Sequence, residues 1–207
     1  MTSPEAQGIL DAFESHRLGG LVTVILGLGL RLVEALGLQW SEVNFEQDQV
    51  RVVATLQRFK GEDGIRRWEL RPPKSEESNR TLPLPASVAA ALQGERSRQR
   101  LAQLAAGPAW QETGFVFTSR TGEPWSENGA LHAFQNALAA ADLPRMRLHD
   151  LRHGTATLLL APGVPARVVM EILGHSQISM TLNTYSHVIP ELMGGAAKAI
   201  DSAFARG

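Results

Sequence analysis

Apolar positions recur at helical spacing through most of this chain and give way in one place to short alternating runs. Ser3-Pro4-Glu5 reads as an N-cap, a proline at the first helical position and an early acid, which predicts a helix through about Phe13. A second apolar stretch runs from Leu18 to Leu28, and the spacing of Leu32, Ala35 and Leu36 predicts a third helix over Arg31 to Leu38. The runs Gln49–Gln57, Ile65–Leu70 and Arg80–Leu84 then take β character, divided by Gly61-Glu62-Asp63-Gly64 and Pro72-Pro73-Lys74-Ser75. A small three-stranded antiparallel sheet is expected. Helical spacing returns from Pro85 to about Ala105, is broken by Gly107-Pro108, and is followed by a short strand and turn at Phe115-Val116-Phe117. Further helices are predicted over Ser126–Ala140, His149–Leu160, Pro165–Leu173 and Pro190–Phe204, with a turn near Ser176–Leu182 and stops at Gly163 and Gly174. No repeat or linker divides the chain. The expected architecture is one mainly helical α+β domain, residues 1–207, with the small sheet inserted after the first helices. Leu158-Leu159-Leu160, Val168-Val169 and Ile172-Leu173 are expected in its core, and Trp40, Trp68, Trp110 and Trp125 are read as packing.

Composition narrows the chemistry. At 207 residues and 43% hydrophobic content the chain can bury a substantial core. It has no run of 18 apolar residues and its first residues lack the pattern of a signal peptide, so a cytoplasmic location away from membranes is expected. With no cysteine, disulfides, thiolate catalysis and cysteine-ligated metals are excluded, and the six histidines show no metal-ligand spacing, so neither metal nor cofactor is expected. The net charge of −1 argues against indiscriminate polyanion binding, but 17 of the basic residues are Arg and only 3 are Lys. Arginine offers a planar, permanently charged fork that fits phosphate oxygens. Between Arg51 and Thr81, Arg51, Arg58, Lys60, Arg66, Arg67, Arg71, Lys74 and Arg80 outnumber the acids, which fits either a mild phosphate footprint or a solvated strand pair of mixed charge.

Two local patterns carry candidate chemistry. His149-Asp150-Leu151-Arg152-His153 opens a helix just after Arg145 and Arg147, and residues three apart share a helix face, so His149 and Arg152 can address one ligand. A helix N-terminus also favours an anion, although such a cluster equally suits a cap or a surface. The second pattern is Leu173-Gly174-His175 followed ten positions later by Tyr185, the only tyrosine present. A phenol can be a nucleophile or simply pack.

Taken together, these segments resemble the catalytic domain of the tyrosine recombinases, the phage integrase family. Gly29-Leu30-Arg31-Leu32-Val33-Glu34-Ala35-Leu36-Gly37-Leu38 resembles the family's first arginine box, and Pro73-Lys74-Ser75 through Arg80-Thr81-Leu82-Pro83-Leu84 its lysine-bearing hairpin. His149-x-x-Arg152 and Leu173-Gly174-His175 with Tyr185 complete the series in order. The resemblance implies that fold, and catalytic roles for Arg31, Lys74, His149, Arg152, His175 and the nucleophile Tyr185. It implies cleavage and rejoining of double-stranded DNA through a 3′-phosphotyrosyl link, without metal, by a homotetramer on DNA. A phenol starts near pKa 10, a deficit of about 4 kcal/mol at neutral pH that neighbouring cations and a proton acceptor must offset. Which histidine accepts the proton stays open.

Glu34 is either a buried partner of Arg31 or a surface acid. Arg66, Arg67, Arg71, Arg80, Arg145 and Arg147 are candidate DNA contacts, while His153 is expected to buttress its helix and His187 to be peripheral. Val33 and Leu28 depart from the small residue and the threonine that are common in the family beside its first arginine, and neither change removes a reactive group. Relatives usually carry an N-terminal core-binding domain; this chain starts almost at the catalytic fold and is expected to be a fragment, monomeric when alone. The stripe Leu192, Ala196, Ile200 and Phe204 can dock on its own domain or on a neighbouring copy. A type IB topoisomerase-like relaxing enzyme and a non-catalytic DNA-binding homologue are the competing expectations.

Overall fold

The computed structural model describes residues 1–64, 66–72 and 78–175. The positions of Lys74 and Tyr185, and the elements expected over Ser176–Leu182 and Pro190–Phe204, lie outside those residues. The elements are helices α1 (Ser3–Phe13), α2 (Gly19–Leu28), α3 (Leu32–Leu36), α4 (Ala86–Ala106), α5 (Glu127–Ala140), α6 (Leu148–Leu160) and α7 (Ala166–Leu173). The strands are β1 (Val43–Asn44), β2 (Gln49–Val52), β3 (Thr55–Lys60), β4 (Arg66–Arg71) and β5 (Arg80–Pro83).

The first helix begins as its sequence suggests, but one residue earlier than read: Thr2, not Ser3, is the cap, and the Glu5 carboxylate accepts the Thr2 N–H in return. Helix α2 is apolar all round because it runs through the interior: Leu21, Val22, Val24, Ile25, Leu26 and Leu28 are all buried. Helices α1, α3, α4 and α6 pack around it. A smaller cluster of Ala156, Leu160, Val169 and Leu173 joins α6 to α7. Val168, expected in that core, is 40% exposed, because the inward stripe of α7 is formed by Val169, Met170 and Leu173.

The sheet region departs from the expected single unit. The apolar run through Gln57 breaks at Val53-Ala54, and its halves join different sheets. One is three-stranded and antiparallel in the order β1-β2-β5; the other is the two-stranded hairpin β3-β4, with Leu56 opposite Leu70 and Arg58 opposite Trp68. Strands β4 and β5, which flank the Lys74 segment in sequence, are therefore not partners. Instead β4 pairs with β3 and β5 with β2.

Two left-handed glycines set the site's backbone. Gly29 ends α2 at φ 64°, its N–H donating to the Ile25 carbonyl, and turns the chain directly into Arg31 at the N-cap of α3. Gly174 ends α7 at φ 62°, and the His175 N–H donates back to the Met170 carbonyl in a Schellman-type closure. A Cβ at Gly29 would lie 2.6 Å from Leu173 Cδ2, so the two turns are in contact as well as alike. Gly29→Ala should lower unfolding free energy by at least about 1–2 kcal/mol, the cost of a left-handed alanine. Gly8→Ala, in a part of α1 with nothing within 4 Å of the added carbon, should instead raise it by about 1 kcal/mol. Urea unfolding curves of the two variants check both signs.

Candidate active site

The site is built where the end of α7 meets the start of α3. A helix leaves its last carbonyls without intrahelical partners, and here three successive ones are taken by arginines from three other elements. The Ile172 carbonyl accepts from Arg80 Nε at 2.7 Å, the Leu173 carbonyl from Arg152 Nη2 at 2.5 Å, and the Gly174 carbonyl from Arg31 Nη2 at 3.1 Å. Cations are also favoured at this negative end of a helix dipole. The same guanidiniums converge on Glu34, whose side chain is 1% exposed. Arg31 Nη1 donates to Oε1, while Oε2 accepts the Arg31 backbone N–H at 2.9 Å and Arg80 Nη2 at 3.1 Å. Arg152 Nη1 stands 3.9 Å from Oε2 and donates to the Gly29 carbonyl at 2.6 Å. Ser78 joins through its Oγ, which accepts from Arg31, and its carbonyl, which accepts from Arg80.

The structure thus brings Arg31, Arg152 and Glu34 together beside His175, with Glu34 the buried partner of Arg31 and not a surface acid. Sequence reasoning misplaced Arg80. Expected on the DNA-facing surface, Arg80 has a side chain only 7% exposed, and its described hydrogen bonds all run inward. Arg31, with 34% of its side chain exposed, opens to solvent, whereas Arg152 is 3% exposed. The carbonyl ligands and Ser78 were not read from sequence; the helix stop at Gly174 was the available signal.

At the start of α6, Arg147 caps the helix and Asp150 accepts both its backbone N–H, at 2.8 Å, and its guanidinium, at 2.7 Å. This repeats the Arg31–Glu34 arrangement at the surface. His149 is exposed and meets His153 edge-on, with ring centroids 4.7 Å apart, so its ring is turned toward His153 while Arg152 enters the interior. Of the other expected DNA contacts, Arg67 pairs with Asp63, Arg71 lies 3.7 Å above the Phe59 ring beside Glu69, and Arg145 is exposed. Arg66 is opposite Lys60 in the β3-β4 ladder. Exposed ion pairs of this kind contribute little to stability.

The charges set the protonation states. Burial by itself would raise the Glu34 carboxyl, but Arg80, the Arg31 N–H and the Arg31 charge outweigh it and hold the group below the usual carboxylate range. Burial, followed by the charges of Arg152 and Arg31, lowers His175 to about 4. Burial also lowers His149 and His153, with Arg147 and Arg152 acting in the same direction on both. All three imidazoles are therefore neutral near pH 7. Among the described residues no group of His, Asp and Glu is arranged to hold a metal ion, and no helix is long and apolar enough to cross a membrane.

Comparison with known proteins places this arrangement among relatives. Residues 1–191 match the Phage integrase family. A tyrosine recombinase XerC-like protein of Caldanaerobacter subterraneus subsp. tengcongensis is 36% identical over 97% of this chain and 53% of its own length. An integrase of Streptomyces ambofaciens is 30% identical over 100% of this chain and 54% of its own. The chain thus spans about half the length of the curated relatives it matches. In three dimensions it resembles the Tn1549 transposon integrase, solved in complex with transposon right end DNA, with a TM-score of 0.80 at 22% identity, covering 97% of this chain and 65% of that one.

Because the folded Glu34 carboxyl lies below its unfolded value, its stabilising effect is complete above the ordinary glutamate range and is lost as pH falls through the folded value. Glu34→Gln should therefore cost about 3 kcal/mol near pH 7 and flatten the loss of stability that the wild-type protein shows below about pH 4. Urea midpoints measured from pH 7 down to pH 3 give both quantities; equal acid slopes in the two proteins would remove Glu34 from its assigned role.

Proposed function

The chain belongs to the phage integrase family, and from this we propose that it is the catalytic domain of a site-specific recombinase that cleaves and rejoins double-stranded DNA through a 3′-phosphotyrosyl intermediate. The observation that carries the reading is the meeting of Arg31 and Arg152, from distant parts of the chain, at Glu34 and on the two carbonyls that precede His175. Such a cluster suits one chemical task. In-line attack on a phosphodiester spreads negative charge over the non-bridging oxygens, and fixed guanidiniums stabilise that charge without reorganising. Arg31, the more open of the two, meets the phosphate from the solvent side, with Arg152 behind it.

In the proposed step the Tyr185 oxygen bonds to phosphorus, the bond from phosphorus to the 5′ oxygen breaks, and Lys74 protonates that oxygen. The phenolic proton passes to a neutral imidazole, His175 or His149, each able to accept at one ring nitrogen while donating at the other. The phosphotyrosyl ester keeps the energy of the broken bond, so a second 5′-hydroxyl reverses the step without metal, ATP or other cofactor. Arg66, Arg67, Arg71, Arg145 and Arg147 are proposed to track the DNA backbone around the scissile phosphate, a charge contact that positions without reading sequence. A homotetramer on two duplexes, in the cytoplasm and at the nucleoid, completes the reading. The relatives compared above are recombinases and integrases by name, which favours strand exchange over relaxation of supercoils.

A nicked suicide duplex bearing the recombination site should trap the protein covalently on the 3′ side of the break. Tyr185→Phe should abolish the adduct; an adduct that survives the substitution would refute the nucleophile. Lys74→Ala should slow cleavage by about 10²–10⁴-fold, and a substrate with a 5′-thiolate leaving group, which needs no proton, should restore most of the rate. Without that rescue the general-acid role of Lys74 fails.

A further inference from the structure

Arg80 belongs to the cluster without facing the place where a phosphate would sit. It starts β5, and its fork is spread over three acceptors in different directions: the Ile172 carbonyl at 2.7 Å, the Ser78 carbonyl at 3.0 Å and Glu34 Oε2 at 3.1 Å. Its side chain is 7% exposed. The arrangement matters for Glu34, which has two oxygens and three cationic neighbours. Oε1 is held by Arg31; Oε2 is held by the Arg31 N–H and by Arg80, and Arg152 Nη1 is left 3.9 Å from it, outside hydrogen-bonding distance.

We propose that Arg80 is a positioning residue that occupies Glu34 and so keeps this carboxylate from closing on Arg152. Without Arg80, a shift of about 1 Å would tighten the present 3.9 Å ion pair of Oε2 with Arg152 into a charge-assisted hydrogen bond. The tighter pair would cancel more of the positive field that an anion meets at Arg152. Arg80 thus acts on the anion through Glu34 and never touches it. The inference rests on the proposed function only in taking the anion to be a phosphate, and its test uses inorganic phosphate as well as DNA.

The decisive measurement is the sign of the Glu34→Gln effect in two backgrounds. Inorganic phosphate affinity is read by titration, and cleavage of the suicide duplex is read beside it. Arg80→Met should weaken phosphate binding and slow cleavage by about tenfold, with duplex affinity little changed. Adding Glu34→Gln to Arg80→Met should recover most of that loss, because an uncharged amide cannot neutralise Arg152. With Arg80 present, Glu34→Gln should weaken phosphate binding, because Arg31 loses its partner. A plain effect of removing negative charge would strengthen binding in both backgrounds, and a purely structural strut would make the double variant worse than either single one; both results overturn the proposal. If Arg80→Met does not fold, Arg80→Lys decides. It keeps a cation at Glu34 but cannot hold both carbonyls, so phosphate affinity should stay within about twofold of wild type, and a tenfold loss would refute the idea. A wild-type protein that forms no DNA adduct yet shows the sign reversal with phosphate would sink the recombinase reading and leave this one standing.

Discussion

Three guanidiniums shared between one helix end and one carboxylate hold this structure's working region together. Arg31, Arg80 and Arg152 arrive from α3, β5 and α6, and each binds a different terminal carbonyl of α7 while facing Glu34. Buried charges are tolerated only when paired and hydrogen-bonded. Here no pairing is complete until all the contributing segments are in place. Removing any one leaves the shared carboxylate or a terminal carbonyl with fewer bonds, so the segments support one another. The apolar clusters around α2 and between α6 and α7 bring the segments close, but non-directional burial cannot aim a guanidinium. The carbonyls and the carboxylate do that.

The same economy explains the site's electrostatics. One carboxylate facing three cations cannot neutralise them, and partial charges on a helix terminus do so only in part. The surplus is visible in its effect on neighbours. Glu34 stays ionised although burial opposes it, and the charges of Arg152 and Arg31 add to the burial that lowers His175 to about 4. A region that keeps a buried glutamate charged against its burial has a positive potential. Such a potential is unfavourable for folding in itself and favourable for a phosphate, so binding chemistry and stability draw on the same charges in opposite senses.

Much of this was legible in the sequence, and the reasons differ by element. Helices were readable because their apolar spacing is local, and the stops at Gly163 and Gly174 because left-handed turns favour a residue without a Cβ. Arg31, Arg152 and His175 were readable as parts of an ordered series of motifs. Arg80 was not. It sits in a basic stretch where charge suggested a surface, and its inward direction depends on Glu34 and Ile172, which are remote in the sequence. The split of the run through Gln57 into β2 and β3 was hidden for a related reason: Val53-Ala54 is apolar like its flanks, and which sheet each half joins is decided by partners elsewhere. Val168 was misread because the inward stripe of α7 is centred on Val169, Met170 and Leu173, which leaves Val168 on its flank.

The Gly174 carbonyl is the last acceptor before His175, and the side chain holding it is Arg31, the most open member of the cluster. An anion drawing the Arg31 fork outward would loosen its hold on Gly174. On the proposed function, the side chain that meets the phosphate is also the one that holds the peptide leading into His175. A phosphate that engages Arg31 would then reach the Gly174–His175 peptide through this one hydrogen bond.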